Sequence, residues 1–320
     1  MSEHYNSIVS ETGKIHGWMT KFIVRTLKTR GVEMFFSAIK LARITLLALL
    51  AAGLTACAVW NQGGNAVRLY VLDCGDIEVL DLAVFQPGLP RGVKKDLAVS
   101  CYLVVHPQKG ILLYDTGVGD LYVDKGKTLI QGFANFSLKR KLFDQLQEIG
   151  IRPEMVNYIA MSHLHLDHTG NSALFPHALH LIQAEEYAAA FESPNDEQLV
   201  GDRQLVQSLR RNTTKKLTSD FDVFGDGSAI LKRTPGHTPG HQSLLVKLEK
   251  SGFIFLSGDL VHYIDNWISG VVPGFNVDQE KSLRSMSGIR RFLLLNDARL
   301  WIGHDSGQSA NIKHSPAFYD

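Results

Sequence analysis

The chain has 320 residues, 45% of them hydrophobic, and 33 Lys and Arg against 32 Asp and Glu give a formal charge of +1. This excludes a disordered chain, which needs less apolar content or more net charge, and a multi-pass membrane protein, since only one long charge-free apolar stretch exists. A binder of bulk phosphate would be more basic, and three cysteines (Cys57, Cys74 and Cys101) are too few for a disulfide-stapled scaffold.

The charge is uneven along the chain. Up to Ala56 there are seven Lys and Arg against three Glu, and from Cys57 onward 26 against 29. The basic end therefore reads as a separate segment. Lys40 and Arg43 form a positive region ahead of the apolar run 44–53, as in a secretory signal. Leu54-Thr55-Ala56-Cys57 follows and resembles the lipobox of bacterial lipoproteins. That resemblance implies cleavage before Cys57, a lipid on its thiol and, with Ala58 next, the outer membrane. Residues 1–33 are expected to be an over-extended start or a disordered leader, with Met34 the better start. The alternative is an uncleaved anchor over the uncharged run 44–60, at the lower limit of the ~17–25 residues that span a bilayer. On either reading, 1–56 is leader and signal, 57–66 a short tether, and the rest lies outside the cytoplasm. Cys74 and Cys101 could then pair or remain two buried thiols.

From residue 67 to 320 the pattern predicts one α/β domain without internal repeats. Short apolar runs predict strands over 69–72, 100–105, 110–114, 157–161, 179–183, 243–248 and 253–257. The stretches 104–110 and 249–252 read as hairpin connections. Leu138, Leu142, Leu146 and Ile149 predict a helix over 136–149 that Gly150 ends. The segment 192–216 is polar and expected to be helical on the outside. Leu283, Met286, Ile289 and Leu293 predict a second helix over 282–295.

The most informative stretch is Ser162-His163-Leu164-His165-Leu166-Asp167-His168-Thr169-Gly170, on the loop after the 157–161 strand. Imidazole nitrogen and carboxylate oxygen are the usual ligands of Zn2+ and similar cations. In extended backbone, residues two apart point the same way, so His163 and His165 can converge on one ion. The chain then turns, and Asp167 with His168 can face a second point nearby. A solvated loop needs no such set, and an apolar core would not tolerate it unpaired. Three later stretches each carry ligand-type residues in a turn or at a strand end: Thr234-Pro235-Gly236-His237-Thr238-Pro239-Gly240-His241, Ser257-Gly258-Asp259 and Ile302-Gly303-His304.

This order resembles the metallo-β-lactamase superfamily of hydrolases. The resemblance implies a four-layer αββα sandwich with two divalent metal ions, zinc first among the candidates, at the edge between two sheets. It implies that His163, His165 and His237 bind the first metal, that Asp167, His168 and His304 bind the second, and that Asp259 bridges them. Asp115, in Asp115-Thr116-Gly117, matches a supporting aspartate, and His241 is expected to be a hydrogen-bonding or packing residue. Cys101-Tyr102-Leu103, 162–170 and 234–244 look particularly like the N-acyl homoserine lactonases. That implies a quorum-quenching hydrolase in which hydroxide held between the metals opens a lactone ring, with Asp167 or Asp259 relaying a proton. Those lactonases place a substrate-binding tyrosine three residues after the bridging aspartate. Here His262 holds that position and Tyr263 follows, and either can donate the bond. Phe85, Leu89, Phe133 and Phe136 are candidates to line an acyl groove, with core packing the other reading. The rivals are a glyoxalase II-like thioesterase, a β-lactam hydrolase and a lipid-anchored binding protein with a relic site. A ribonuclease Z-like nuclease is disfavoured by the acidic balance after Cys57. The expected partner is a small lactone or ester, with no nucleic acid and with membrane contact through the N-terminus.

Overall fold

Alternation along the first strand sets the layering. In β1 (Arg68–Val79), Leu69 and Val71 face one apolar core while Tyr70 and Leu72 face another, the pattern of a strand covered on both sides. The computed structural model describes residues 65–130, 134–192 and 209–320. The signal and lipobox-like segment, Phe133 and residues 193–208 lie outside the described residues.

The first sheet joins β1 to β2 (Lys95–His106), β3 (Gly110–Tyr114), β4 (Thr128–Ile130), β5 (Ala134–Ser137), β6 (Tyr158–Ala160), β7 (Leu179–Gln183) and β8 (Thr214–Leu217), in the order β4-β5-β1-β2-β3-β6-β7-β8. The second runs β13-β12-β11-β10-β9, from β9 (Phe221–Asp222), β10 (Ala229–Arg233), β11 (Gln242–Leu248), β12 (Gly252–Leu256) and β13 (Arg299–Trp301). Val71, Val104 and Leu112 of the first sheet meet Leu231, Leu244 and Leu256 of the second in a shared middle core. Helix α1 (Leu142–Glu148) covers the far face of the first sheet through Leu142 and Leu146. The short α2 (Leu166–Thr169), α3 (Ala184–Phe191) and α4 (Ile264–Ser269) follow in chain order. Helix α5 (Gln279–Asn296) sets Met286 and Ile289 on the far face of the second sheet, against Leu245 and Phe255. The chain closes with α6 (Ser306–Ser309). The result is the expected helix–sheet–sheet–helix sandwich.

The structure corrects two predicted elements. The helix expected from residue 136 starts at Leu142, because Ala134 and Phe136 belong to β5, paired with β1. Phe136 is accordingly a buried core residue. The end of the segment read as an outer helix, residues 214–216, belongs instead to strand β8, which pairs in parallel with β7. Cys74 and Cys101 form a disulfide between β1 and β2, with Cα atoms 5.8 Å apart. Among the described residues, no helix is long and apolar enough to cross a membrane.

His180 in β7 is fully buried, and burial pushes its pKa down to about 4. Unfolded, it would titrate near the ordinary imidazole value of about 6.5. The unfolded chain therefore binds the extra proton between these values, so stability is complete above about pH 6.5 and falls toward pH 4. The shift corresponds to a contribution of up to about 3 kcal/mol. We expect His180→Gln to flatten the wild-type loss of stability over this window by up to about one proton in slope. Urea denaturation at several pH values checks it, and parallel curves would contradict it.

Candidate metal centre

The functional side chains sit on the segments that follow β6, β10, β12 and β13. Beyond β6 the backbone is pinned by Asp115, which adopts a left-handed φ of 61° and accepts the Ser162 N–H at 2.6 Å. His163 follows, and His165 sits in extended backbone immediately before α2. His163 Nε2 and His165 Nδ1 come within 2.8 Å of each other. The turn of α2 then carries Asp167 and His168 to an adjoining point. Between β10 and β11, the Thr234–His241 turn is closed by the Thr234 N–H bond to His241 O. It brings His237 Nε2 to 3.2 Å from His163 Nε2 and 3.1 Å from His165 Nδ1.

Asp259 joins the two points. Its Oδ2 lies 3.3 Å from His237 Nε2 and 3.7 Å from His163 Nε2. Its Oδ1 lies 3.3 Å from His168 Nε2 and 3.0 Å from His304 Nε2. Asp167 Oδ2 is 3.4 Å from both of those nitrogens. All seven ligand-type groups therefore fall into two adjoining sets, His163–His165–His237–Asp259 and Asp167–His168–His304, with Asp259 reaching both. Gly258 lets this happen. Its φ is +53°, and a Cβ there would lie 2.7 Å from both His241 Nε2 and Ser162 Cβ.

Supporting bonds fix which imidazole nitrogen faces inward. His168 Nδ1 donates to Asp115 Oδ2 at 2.9 Å, His237 Nδ1 to Asn276 Oδ1 at 3.0 Å and His304 Nδ1 to Ala98 O at 2.6 Å. With Nδ1 protonated, the inward Nε2 of each neutral ring is a bare lone pair. His168 and His304 thus set two such lone pairs 3.3 Å apart, where neither donates to the other. Donors ~2.0–2.2 Å from one tetrahedral cation sit roughly 3.3–3.5 Å apart. The donor set and its spacing fit a cation at each point.

The electrostatics differ between the two sets. Burial, reinforced by neighbouring imidazoles, holds His163 and His237 well below the usual histidine range, in the neutral form that ligates. Burial opposes the charge on Asp259, but the imidazoles of His304, His262 and His168 outweigh it and hold the carboxyl well below its usual range. For His168 the opposing burial is outweighed by Asp167, Asp259 and Asp115, which raise it well above the usual value. Two networks of opposite tendency share one carboxylate.

His262 and Tyr263 part company. His262 is buried beside the centre, with Nε2 3.1 Å from Asp259 Oδ2 and its ring edge-on to Phe85 at 5.2 Å. Tyr263 is corrected as a site residue. In extended backbone (φ −154°, ψ 168°) it points opposite to its neighbour, and its hydroxyl donates to Gln86 Oε1 at 2.6 Å. Its ring belongs to the apolar core on the outer face of the first sheet. Of the groove candidates, Phe85 packs against both His262 and Phe275 and belongs to the core on which Leu89 also packs. His241 accepts the Asp259 N–H on Nε2 at 2.9 Å and donates from Nδ1 to Thr234 O at 3.1 Å. Burial lowers its pKa to about 3. Sequence reasoning missed Asn276, which carries no motif and reaches His237 from 39 positions away.

Known proteins resemble the chain in this same region. The family described as the metallo-beta-lactamase superfamily matches residues 95–294. The N-acyl homoserine lactonase AttM of Rhizobium radiobacter is 31% identical over 263 residues, covering 79% of this chain and 98% of that protein. An N-acyl homoserine lactonase of a Bacillus species is 31% identical over 258 residues, covering 78% and 98%. A solved N-acyl homoserine lactone hydrolase, with the product N-hexanoyl-L-homoserine bound at its catalytic metal centre, superposes with a TM-score of 0.70. It is 27% identical and covers 80% of this chain and all of its own.

Proposed function

The chain belongs to the metallo-beta-lactamase superfamily, and from that premise we propose that it is a two-metal hydrolase that opens N-acyl homoserine lactones or closely related lactones. The observation that carries the reading is the convergence of seven ligand-type groups on two points that share Asp259. Curated relatives of about the same length as this domain are named for the same reaction.

His163 Nε2, His165 Nδ1, His237 Nε2 and Asp259 Oδ2 would hold one cation. Asp167, His168, His304 and Asp259 Oδ1 would hold the other. Imidazole and carboxylate donors at this spacing suit zinc. Two such cations supply Lewis acidity toward a carbonyl oxygen and lower the pKa of water. Asp259, gripped by His241 at its backbone and by His262 at Oδ2, fixes the separation of the two points. Hydrolysis adds one water across the ring C–O bond, so the proton lost in attack must reach the ring oxygen as it leaves. Asp167 is the better carrier of that proton, since its side chain is 12% exposed against 6% for Asp259. Phe85 and Phe275 pack edge-to-face at 5.1 Å beside His262 and present an apolar wall there.

We place this activity outside the cytoplasm, tethered through Cys57. The basic leader and the lipobox-like Leu54–Cys57 support that reading, and the Cys74–Cys101 disulfide suits an oxidising compartment.

Turnover of a matched set of lactones, thioesters and β-lactams by the purified chain tests the substrate class. We expect kcat/KM for an acyl homoserine lactone at least about tenfold above the other two classes. Thioester turnover without lactone turnover would replace this reading with the glyoxalase II-like one.

A further inference from the structure

One buried carboxylate touches both loops that carry the first donor set, and it is not among the ligand-type groups. Glu186 lies in the first turn of α3 and is 3% exposed. Its Oε1 accepts the Leu164 N–H at 3.0 Å, and its Oε2 accepts the Gly240 N–H at 3.0 Å. Leu164 stands between His163 and His165, and Gly240 closes the turn that carries His237. The contact with the second loop is close: a Cβ at Gly240 would lie 2.3 Å from Glu186 N. No side chain fits between that loop and the helix.

The chemistry explains why a carboxylate sits here despite the cost of burying charge. Two buried N–H groups must be satisfied at once, and only a carboxylate accepts on both oxygens. A carboxamide accepts on one and sets a donor against the other N–H. Asp115 holds the same loop at other points, bonding His168 and the Ser162 N–H that precedes His163. The tie from the His163–His165 backbone across to the His237 turn runs through Glu186.

We propose that Glu186 is a positioning residue for the first cation: by clamping the Leu164 and Gly240 backbones together it sets the distance from His163 and His165 to His237. The proposal rests on the two-metal reading above. Its particular content is selectivity, since Glu186 governs the first donor set and leaves the second alone.

The test is Zn2+ binding by calorimetry to chelator-treated full-length protein in two single-set backgrounds. His304→Ala retains the first set intact, and His163→Ala retains the second. Adding Glu186→Gln is expected to weaken Zn2+ about 10–100-fold in the His304→Ala background, the range for lost supporting bonds around a metal. In the His163→Ala background it is expected to change affinity less than about threefold, because the second set does not depend on the distance to His237 that Glu186 sets. Equal weakening in both backgrounds, or none in either, overturns the proposal. Should Glu186→Gln not fold, Glu186→Asp keeps the charge but cannot reach both N–H groups, and the same selective loss is expected of it. Failure of the wild-type protein to bind Zn2+ would instead remove the two-metal reading itself, and the proposal with it.

Discussion

Replacing Asp259 with Asn is expected to lower lactone kcat/KM by at least about a thousandfold, or roughly 4 kcal/mol of transition-state stabilisation. The change is nearly isosteric, so packing is preserved and the loss reports chemistry. Asp259 uses both oxygens, Oδ2 toward His163 and His237 and Oδ1 toward His168 and His304. Asn offers one oxygen and turns an NH2 donor on the other set. It also removes the negative charge that the surrounding imidazoles stabilise. Steady-state kinetics, with the melting temperature as a check on folding, measure the effect. A variant within about tenfold of wild type would mean that Asp259 does not link the two sets.

Chelation carries the other large effect. Stripping divalent cations is expected to abolish ring opening, because the groups that converge at the site are imidazoles and carboxylates with the spacing of cation donors, and both described cysteines are joined in a disulfide. It should also destabilise the fold. A cation present at ~1,000 times its dissociation constant stabilises the native state by about 4 kcal/mol per site. For a domain of this size that corresponds to a fall of on the order of 10 °C in Tm per site. Differential scanning calorimetry with and without chelator checks this. An unchanged Tm would argue against cations bound at these residues.

The sequence displays the ligand-rich stretch from His163 to His168 because four donors fall within six positions and local geometry suffices to aim them. Asp259 and His304 were legible only through the order of motifs, since each stands alone at a strand end. Glu186 and Asn276 were not legible. Their partners lie 22 to 54 positions away, on other elements, and no spacing rule links them. Tyr263 was misplaced because one residue of extended backbone reverses the side a side chain faces. The early start assigned to the first helix has a similar cause. Leu138 continues the spacing of Leu142 and Leu146, while the pairing that makes Phe136 part of a strand comes from β1, far upstream. Local periodicity reports an amphipathic face and is silent about which neighbour covers it.

On the proposed reading, two cations gathered by seven side chains act together on a lactone. The most direct measurement is the number of Zn2+ equivalents that restores ring opening to chelator-treated protein, followed by proton release from the new acid. No turnover is expected in the stripped protein, with full recovery at about two equivalents per chain. Ring opening at the native rate with no cation bound would contradict it.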